Sequence, residues 1–176
     1  LGINGIQYVN EFPPHVARDI YLEHKLDANS KILDPCAGWG GRMIGASVIS
    51  NSYTCFEPSS QTYNGLKKLY DFIKSMNPDF VAKVYNLPYE ESNLVNDYYD
   101  MALTSPPYYD TEEYIEEQTN SFMRYKTFDL WCDNFYLPLI NKTMYALKPG
   151  GCFVLNIGSR IYPLNEVLIS NFKNKY

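Results

Sequence analysis

The stretch Lys31-Ile32-Leu33-Asp34-Pro35-Cys36-Ala37-Gly38-Trp39-Gly40-Gly41 decides how this chain folds. Lys31 to Asp34 reads as a short buried strand, Pro35 to Gly41 as a glycine-rich turn, and Arg42 to Ile49 has helical character. Strand, glycine turn and helix in that order form a ligand cradle in α/β proteins. Glycine lets the backbone reach unusual φ values and approach a ligand closely. The spacing is Gly-x-Gly-Gly rather than Gly-x-Gly-x-x-Gly, so a dinucleotide is not the first choice. A second strand, Tyr53 to Glu57, follows. Glu57 ends it roughly 20 positions past the glycines, a place from which a carboxylate accepts both hydroxyls of a ribose. A surface glutamate is the plainer alternative.

Helix and strand signals alternate along the rest of the chain. The spacing predicts helices over 13–26, 42–50 and 60–76, the last ended by Asn77-Pro78. It predicts strands over 80–85, 99–104 and 152–157, a short helix or turn over 90–96, and a helix beginning at Leu164. A long helical stretch over 127–147 is stopped by Lys148-Pro149-Gly150-Gly151. Alternation of this kind implies an α/β fold, a mainly parallel twisted sheet with helices on both faces. Ligands then lie at the carboxyl ends of strands. Gly38, Glu57 and Ser105 all stand at or just beyond such ends.

After the strand over 99–104 comes Ser105-Pro106-Pro107-Tyr108. Two prolines fix their own φ and push Ser105 toward extended backbone, so the turn is stiff. Ser105 Oγ and the Pro106 carbonyl can face outward as acceptors, beside the flat ring of Tyr108. Two acceptors and a stacking ring suit a planar ring that carries an exocyclic amine. A proline-terminated strand end with a core tyrosine is the bland alternative.

The chain has 176 residues, 45% hydrophobic and 20% charged, enough for one domain with a real core over 1–176. No apolar run reaches the length of a membrane span, and no signal peptide is visible. The chain starts at Leu1 rather than Met, which points to a trimmed N-terminus. Cys36, Cys55, Cys132 and Cys152 are scattered, far from His15 and His24, so neither a zinc site nor a disulfide framework is indicated. A reducing, cytoplasmic setting is the default. The net charge of −5 counts against a large nucleic-acid footprint on this piece.

Taken together, Asp34-Pro35-Cys36-Ala37-Gly38-Trp39-Gly40 and Thr104-Ser105-Pro106-Pro107-Tyr108 resemble the cofactor and catalytic motifs of the S-adenosylmethionine-dependent DNA amino-methyltransferases, which act on adenine N6 or cytosine N4. Leu147 to Gly151 and Phe12-Pro13-Pro14-His15 are similar to weaker landmarks of the same family. The resemblance spans roughly residues 12–172. It implies a Rossmann-like methyltransferase fold, S-adenosyl-L-methionine as cofactor, no metal, and a nucleic-acid substrate, DNA first, of the restriction-modification kind. It implies cofactor contacts from Asp34, Pro35, Ala37, Gly38, Gly40, Glu57, Asn86 and Thr104, and catalysis by Ser105, Pro106, Pro107 and Tyr108. Ser-Pro-Pro-Tyr is most typical of cytosine-amine enzymes, whereas the order of the motifs is common among adenine-amine enzymes. The interval between the motifs has room for three strands and their crossovers, and for no target-recognition domain. The family's sheet ends in an antiparallel hairpin, and this chain stops at the helix before it. A fragment, or a chain completed by a partner subunit, is the expectation. Methylation of RNA or of protein glutamine, and a silent scaffold of the same fold, are the alternatives.

Several residues keep two readings. Asp34 either orders its loop or meets the cofactor's ammonium through water. Asn86 either bonds an adenine edge or forms a turn. Trp39 packs on the cofactor or in the core, and Tyr109 forms a second wall or a core contact. Arg42 reads as a surface or loop-pinning residue and Glu90 as a helix-start carboxylate. Asp110, Glu112, Glu113, Glu116 and Glu117 crowd the segment after the proline loop, where a mobile lid is expected.

Overall fold

The structure, a computed structural model, describes residues 11–111, 118–158 and 161–173. Five strands, β1 (Lys31–Asp34), β2 (Ser52–Phe56), β3 (Val81–Tyr85), β4 (Tyr99–Thr104) and β5 (Leu147–Leu155), pair in the order β3-β2-β1-β4-β5. Every pairing is parallel. The expected α/β sheet is therefore present. The chain adds strands outward from β1 to β3, then returns to place β4 on the other side of β1. The order reverses between β1 and β4, and a crevice opens at their carboxyl ends.

Helices cover both faces. In β1 and β4 neighbouring residues enter opposite cores: Ile32, Met101 and Leu103 pack with Met43, Tyr53 and Leu66, while Leu33 and Ala102 pack with Trp131, Tyr136 and Leu139. This period of two, apolar on both sides, marks a central parallel strand. α3 (Ser60–Met76) matches its predicted span; Ser59 caps it by accepting from Thr62 N, and Leu66 and Ile73 bury one stripe. α1 (Pro14–Glu23) is shorter than the predicted 13–26, because Lys25 takes a left-handed φ of 58° and turns the chain toward β1.

Two departures have local causes. The predicted helix over 127–147 divides into α5 (Phe128–Trp131), a π turn (Cys132–Tyr136) and α6 (Leu137–Ala146). Pro138 withholds the N–H that the carbonyl of Asn134 would accept in α register, and the wider turn lies just before it. β5 starts at Leu147 rather than Cys152. Leu147 pairs with Tyr99 and Cys152 with Met101, so Lys148 to Gly151 loop out as a bulge, with Gly150 at φ 81°. Lys148 Nζ is 2.5 Å from Asp100 Oδ1, which ties the bulge to β4.

Asp34, fully buried, stitches the crevice together. Its Oδ1 accepts from Thr104 Oγ1 at 3.0 Å and Cys36 N at 3.3 Å; its Oδ2 accepts from Arg42 Nε at 2.8 Å and Tyr53 OH at 2.5 Å. Arg42, at the start of α2 (Gly41–Ser47), also donates through Nη2 to the Cys36 carbonyl. Burial alone would lower the guanidinium's pKa, but Asp34 outweighs it and holds the group above its ordinary value. Burial, followed by the charge of Asp34, pushes the Tyr21 and Tyr53 phenols up, so both stay protonated. α1 lies hard against α2 at Gly45: a Cβ there would stand 2.6 Å from the Pro14 carbonyl oxygen and 2.8 Å from Ala17 Cβ.

Asp34→Asn leaves the buried Arg42 charge unmatched and is expected to cost about 3–5 kcal/mol of stability, read by urea denaturation. A loss below 1 kcal/mol would show that the pair does not organise the fold. Gly45→Ala is expected to destabilise by about 1–3 kcal/mol from overpacking, although alanine is the better helix former. A gain in stability would mean that α1 can move away from α2 freely.

Candidate active site

The loops after β1 and β4 line one cleft of about 860 Å³. Pro35, Cys36, Ala37, Gly38 and Trp39 come from the first loop, and Ser105, Pro107 and Tyr108 from the second. Glu57 and Ser59 enter from the end of β2, and Tyr89 and Glu90 from the 3-10 turn Tyr89–Glu91 that follows β3. Phe12, Val16 and Ile20 close the cleft from the α1 side, and Thr119 to Phe122 from the first residues of α4 (Ser121–Arg124) and the turn before it.

Gly38 has φ 56° with open space where a side chain would stand, so its backbone is exposed to whatever enters. Gly40, at φ 97°, does not line the cleft; a Cβ there would press on Leu66 and Leu69 of α3. Glu57 Oε1 accepts from Ser59 N at 2.9 Å while the residue faces the cleft. Trp39 is 58% exposed on the rim and takes no part in the core.

Asp34 and Thr104 lie beneath the first loop, bonded to each other, and do not reach the cleft. Of the two roles open to Asp34, this is the loop-ordering one. Asn86 also lies outside the lining. Its Nδ2 donates to the carbonyls of Glu57 and Pro58 at 2.9 and 3.0 Å, and its Oδ1 accepts from Ser60 Oγ, so it braces the loop that carries Glu57. Pro106 is buried under the second loop. Tyr109 is a core residue, 8% exposed at φ 61°, with its ring against Phe128, Trp131 and Tyr162. Arg42 is buried and pins the loop. Glu112 to Glu117, the middle of the lid expected over 109–122, lie outside the described residues; Asp110 is exposed and accepts from Tyr162 OH at 2.7 Å.

Sequence reasoning missed three participants. Asn156, at the end of β5, lines the cleft and bonds both Ser105 and Tyr108. A polar residue closing an apolar strand was the available signal. Glu90, read as a helix-start carboxylate, has its side chain only 6% exposed and forms an ion pair from Oε1 to Arg124 Nη1 at 2.7 Å. Its Oε2 is buried with no partner among the described residues, and burial raises its pKa. Arg124 also pairs with Glu91, which fastens the segment holding Thr119 to Phe122 over the cleft. Glu11 accepts from Gly41 N at 2.5 Å and faces the cleft. These three came together only through tertiary folding.

The lining is acidic. Glu11, Glu57 and Glu90 face it, and Arg42 is the one basic residue among the described lining residues, already paired with Asp34. Glu90 is itself matched by Arg124, which stands outside the lining. Burial, then the charge of Asp34, pushes the Cys36 thiol well above the usual range, which disfavours the thiolate. Among the described residues no cluster of His, Cys, Asp and Glu could hold a metal ion, and no helix is long and apolar enough to cross a membrane.

No family model matches the chain, and no curated protein matches it in sequence. Solved structures do match its fold. An rRNA methylase from Streptococcus thermophilus superposes with a TM-score of 0.60 at 16% identity, over 93% of this chain and 81% of that one. A SAM-dependent O-methyltransferase from Thermotoga maritima gives 0.65 at 12% identity, over 94% and 51%. A SAM-dependent methyltransferase from Thiobacillus denitrificans, solved with S-adenosyl-L-homocysteine, gives 0.55 at 14% identity, over 83% and 49%. The chain spans about half the length of the latter two. At these identities the likeness is one of architecture: the chain has the Rossmann-like fold of these methyltransferases.

Proposed function

We propose that this chain transfers a methyl group from S-adenosylmethionine to an exocyclic amine, with adenine or cytosine in DNA as the leading target. One observation carries the reading. The glycine loop after β1 and the Ser-Pro-Pro-Tyr loop after β4 line a single cleft where the strand order of the sheet reverses.

The lining fits the cofactor. Pro35, Ala37 and Gly38 offer backbone to its amino-acid part, Glu57 offers a carboxylate to its ribose, and the acidic walls suit its positive charge. When bound, it supplies a methyl group activated on a sulfonium. The residues of the chain do the rest. An aryl amine is a poor nucleophile because its lone pair is delocalised into the ring. Ser105 Oγ accepts one of its protons and turns the lone pair toward the methyl group. That bond strengthens as positive charge grows on nitrogen, which is the differential binding that catalysis needs. Pro106 is buried, so Ser105 is the principal acceptor. Tyr108 offers its ring to the flipped base. No strong base is required, because the methylated ammonium is itself acidic. Asp34 and Thr104 act underneath, as the framework of the cofactor loop.

The target rests on the motif resemblance. Phosphates need clustered Lys and Arg, and the cleft has none to spare. A partner subunit or a further segment that supplies target recognition is therefore part of the proposal. The resemblance to Ser-Pro-Pro-Tyr enzymes favours a base amine over protein glutamine, whose enzymes carry Asn at the position of Ser105.

Tritiated methyl transfer onto unmodified DNA, RNA and protein pools tests this, with nucleoside analysis of the product. Label in N6-methyladenine or N4-methylcytosine is expected. Label confined to RNA or protein would move the target, and cofactor binding with no transfer to any pool would make the chain a silent fold-mate. Ser105→Ala is expected to lower transfer by about 100-fold or more, with S-adenosylhomocysteine affinity unchanged by calorimetry. Glu57→Gln should do the reverse and weaken that affinity roughly tenfold. An unchanged affinity would remove Glu57 from the cofactor site.

A further inference from the structure

We propose that Asn156 is a positioning residue that locks Ser105 Oγ as a hydrogen-bond acceptor and so makes the cleft select an amine over a carbonyl or hydroxyl. The inference rests on the amine-methylation reading above.

Asn156 stands at the end of β5, across from the proline loop. Its backbone N–H donates to the Thr104 carbonyl at 2.9 Å, which carries the β4–β5 pairing one step past the strands. Its Nδ2 donates to Ser105 Oγ at 3.1 Å and to Tyr108 OH at 3.4 Å. Tyr108 OH donates to the Asn156 carbonyl at 3.2 Å, and it lies 3.3 Å from Ser105 Oγ.

Proton counting fixes the directions. A phenol has one proton, and a carbonyl can only accept, so the Tyr108 proton goes to the Asn156 carbonyl. In the contact between Ser105 and Tyr108 the serine must then be the donor. Ser105 also receives an N–H from Asn156. Its own proton and one lone pair are thereby committed, and the capacity left on Oγ is a lone pair. Ser105 faces the cleft. What it presents there is an acceptor, and it has no proton left for a ligand's oxygen. A hydroxyl without these partners rotates and serves donors and acceptors alike. Asn156 removes that freedom. One amide thus sets the polarity of Ser105.

The test has two independent readouts. The first is binding. With S-adenosylhomocysteine present, the affinities for deoxyadenosine and deoxyinosine, and for deoxycytidine and deoxyuridine, are compared by NMR titration. Each pair exchanges an amine for a carbonyl. The wild-type protein is expected to prefer the amine roughly tenfold. Asn156→Ala, and the nearly isosteric Asn156→Leu, which lacks any donor, should bring the preference within twofold. The second readout is methyl transfer to DNA. Asn156→Ala should lower kcat about tenfold or more and should have no further effect in a Ser105→Ala background, because it acts through that hydroxyl. A wild type without amine preference, a preference that survives both substitutions, or independent additive losses in the double variant would overturn the inference. A wild type that transfers no methyl group yet shows an Asn156-dependent preference would sink the enzymatic reading alone. A wild type that methylates DNA and whose Asn156 variants behave identically to it would sink this inference alone.

Discussion

Everything at the carboxyl edge of the sheet hangs on one buried carboxylate. A charge out of water is costly unless it is matched and fully hydrogen-bonded. Asp34 meets that demand with donors from four places: Thr104 from β4, Tyr53 from β2, Arg42 from α2 and the backbone of Cys36. The four can converge only if the three strands and the helix meet in one arrangement. The same bonds leave Asp34 nothing to offer a ligand. Recognition at the first loop consequently falls to backbone groups, and Gly38 has the left-handed φ and open surroundings that expose them.

The second consequence is electrostatic. With Arg42 spent on Asp34 and Glu90 matched by Arg124, Glu11 and Glu57 are the acidic side chains that face the cleft without a lining Lys or Arg beside them. Their acidic character suits a positively charged cofactor and is indifferent or unfavourable to a phosphate backbone. The two halves of the proposed reaction therefore differ in what they ask of this chain. In the proposed reaction the chain supplies the cradle for the cationic cofactor, whereas a nucleic acid would draw on positive surface from elsewhere. Arg124 spends its charge on Glu90 and Glu91, closing the cleft rather than attracting a substrate.

Legibility followed the range of the interaction. β1, β4 and α3 were placed to the residue, since a short apolar run or a capped, Pro-terminated helix is a local signal. The stretch over 127–147 reads as one helix in propensity, but Pro138 alters hydrogen-bond register inside it. The start of β5 was missed for the opposite reason: Leu147 belongs to the strand through pairing with Tyr99, across a bulge that no local pattern announces. At the site, the residues whose chemistry is written in the motif (Pro35, Ala37, Gly38, Glu57, Ser105, Pro107 and Tyr108) line the cleft. Asp34, Gly40, Thr104 and Pro106 lie behind it and Asn86 lies exposed beside it, where side-chain direction rather than sequence position decides what they touch.

By itself the sequence determined the class of fold and the two loops that matter, because strand periodicity, glycine at positive φ and paired prolines act within a few residues. Only the tertiary structure decided which side chains face the cleft and which partners they bond there. The amide of Asn156, 51 positions from Ser105, reaches its hydroxyl because β4 and β5 pair side by side. Glu90 and Arg124, 34 positions apart, form an ion pair for a similar reason. Side-chain direction and hydrogen-bond partners belong to packed neighbours distant in the chain, and no local pattern encodes them.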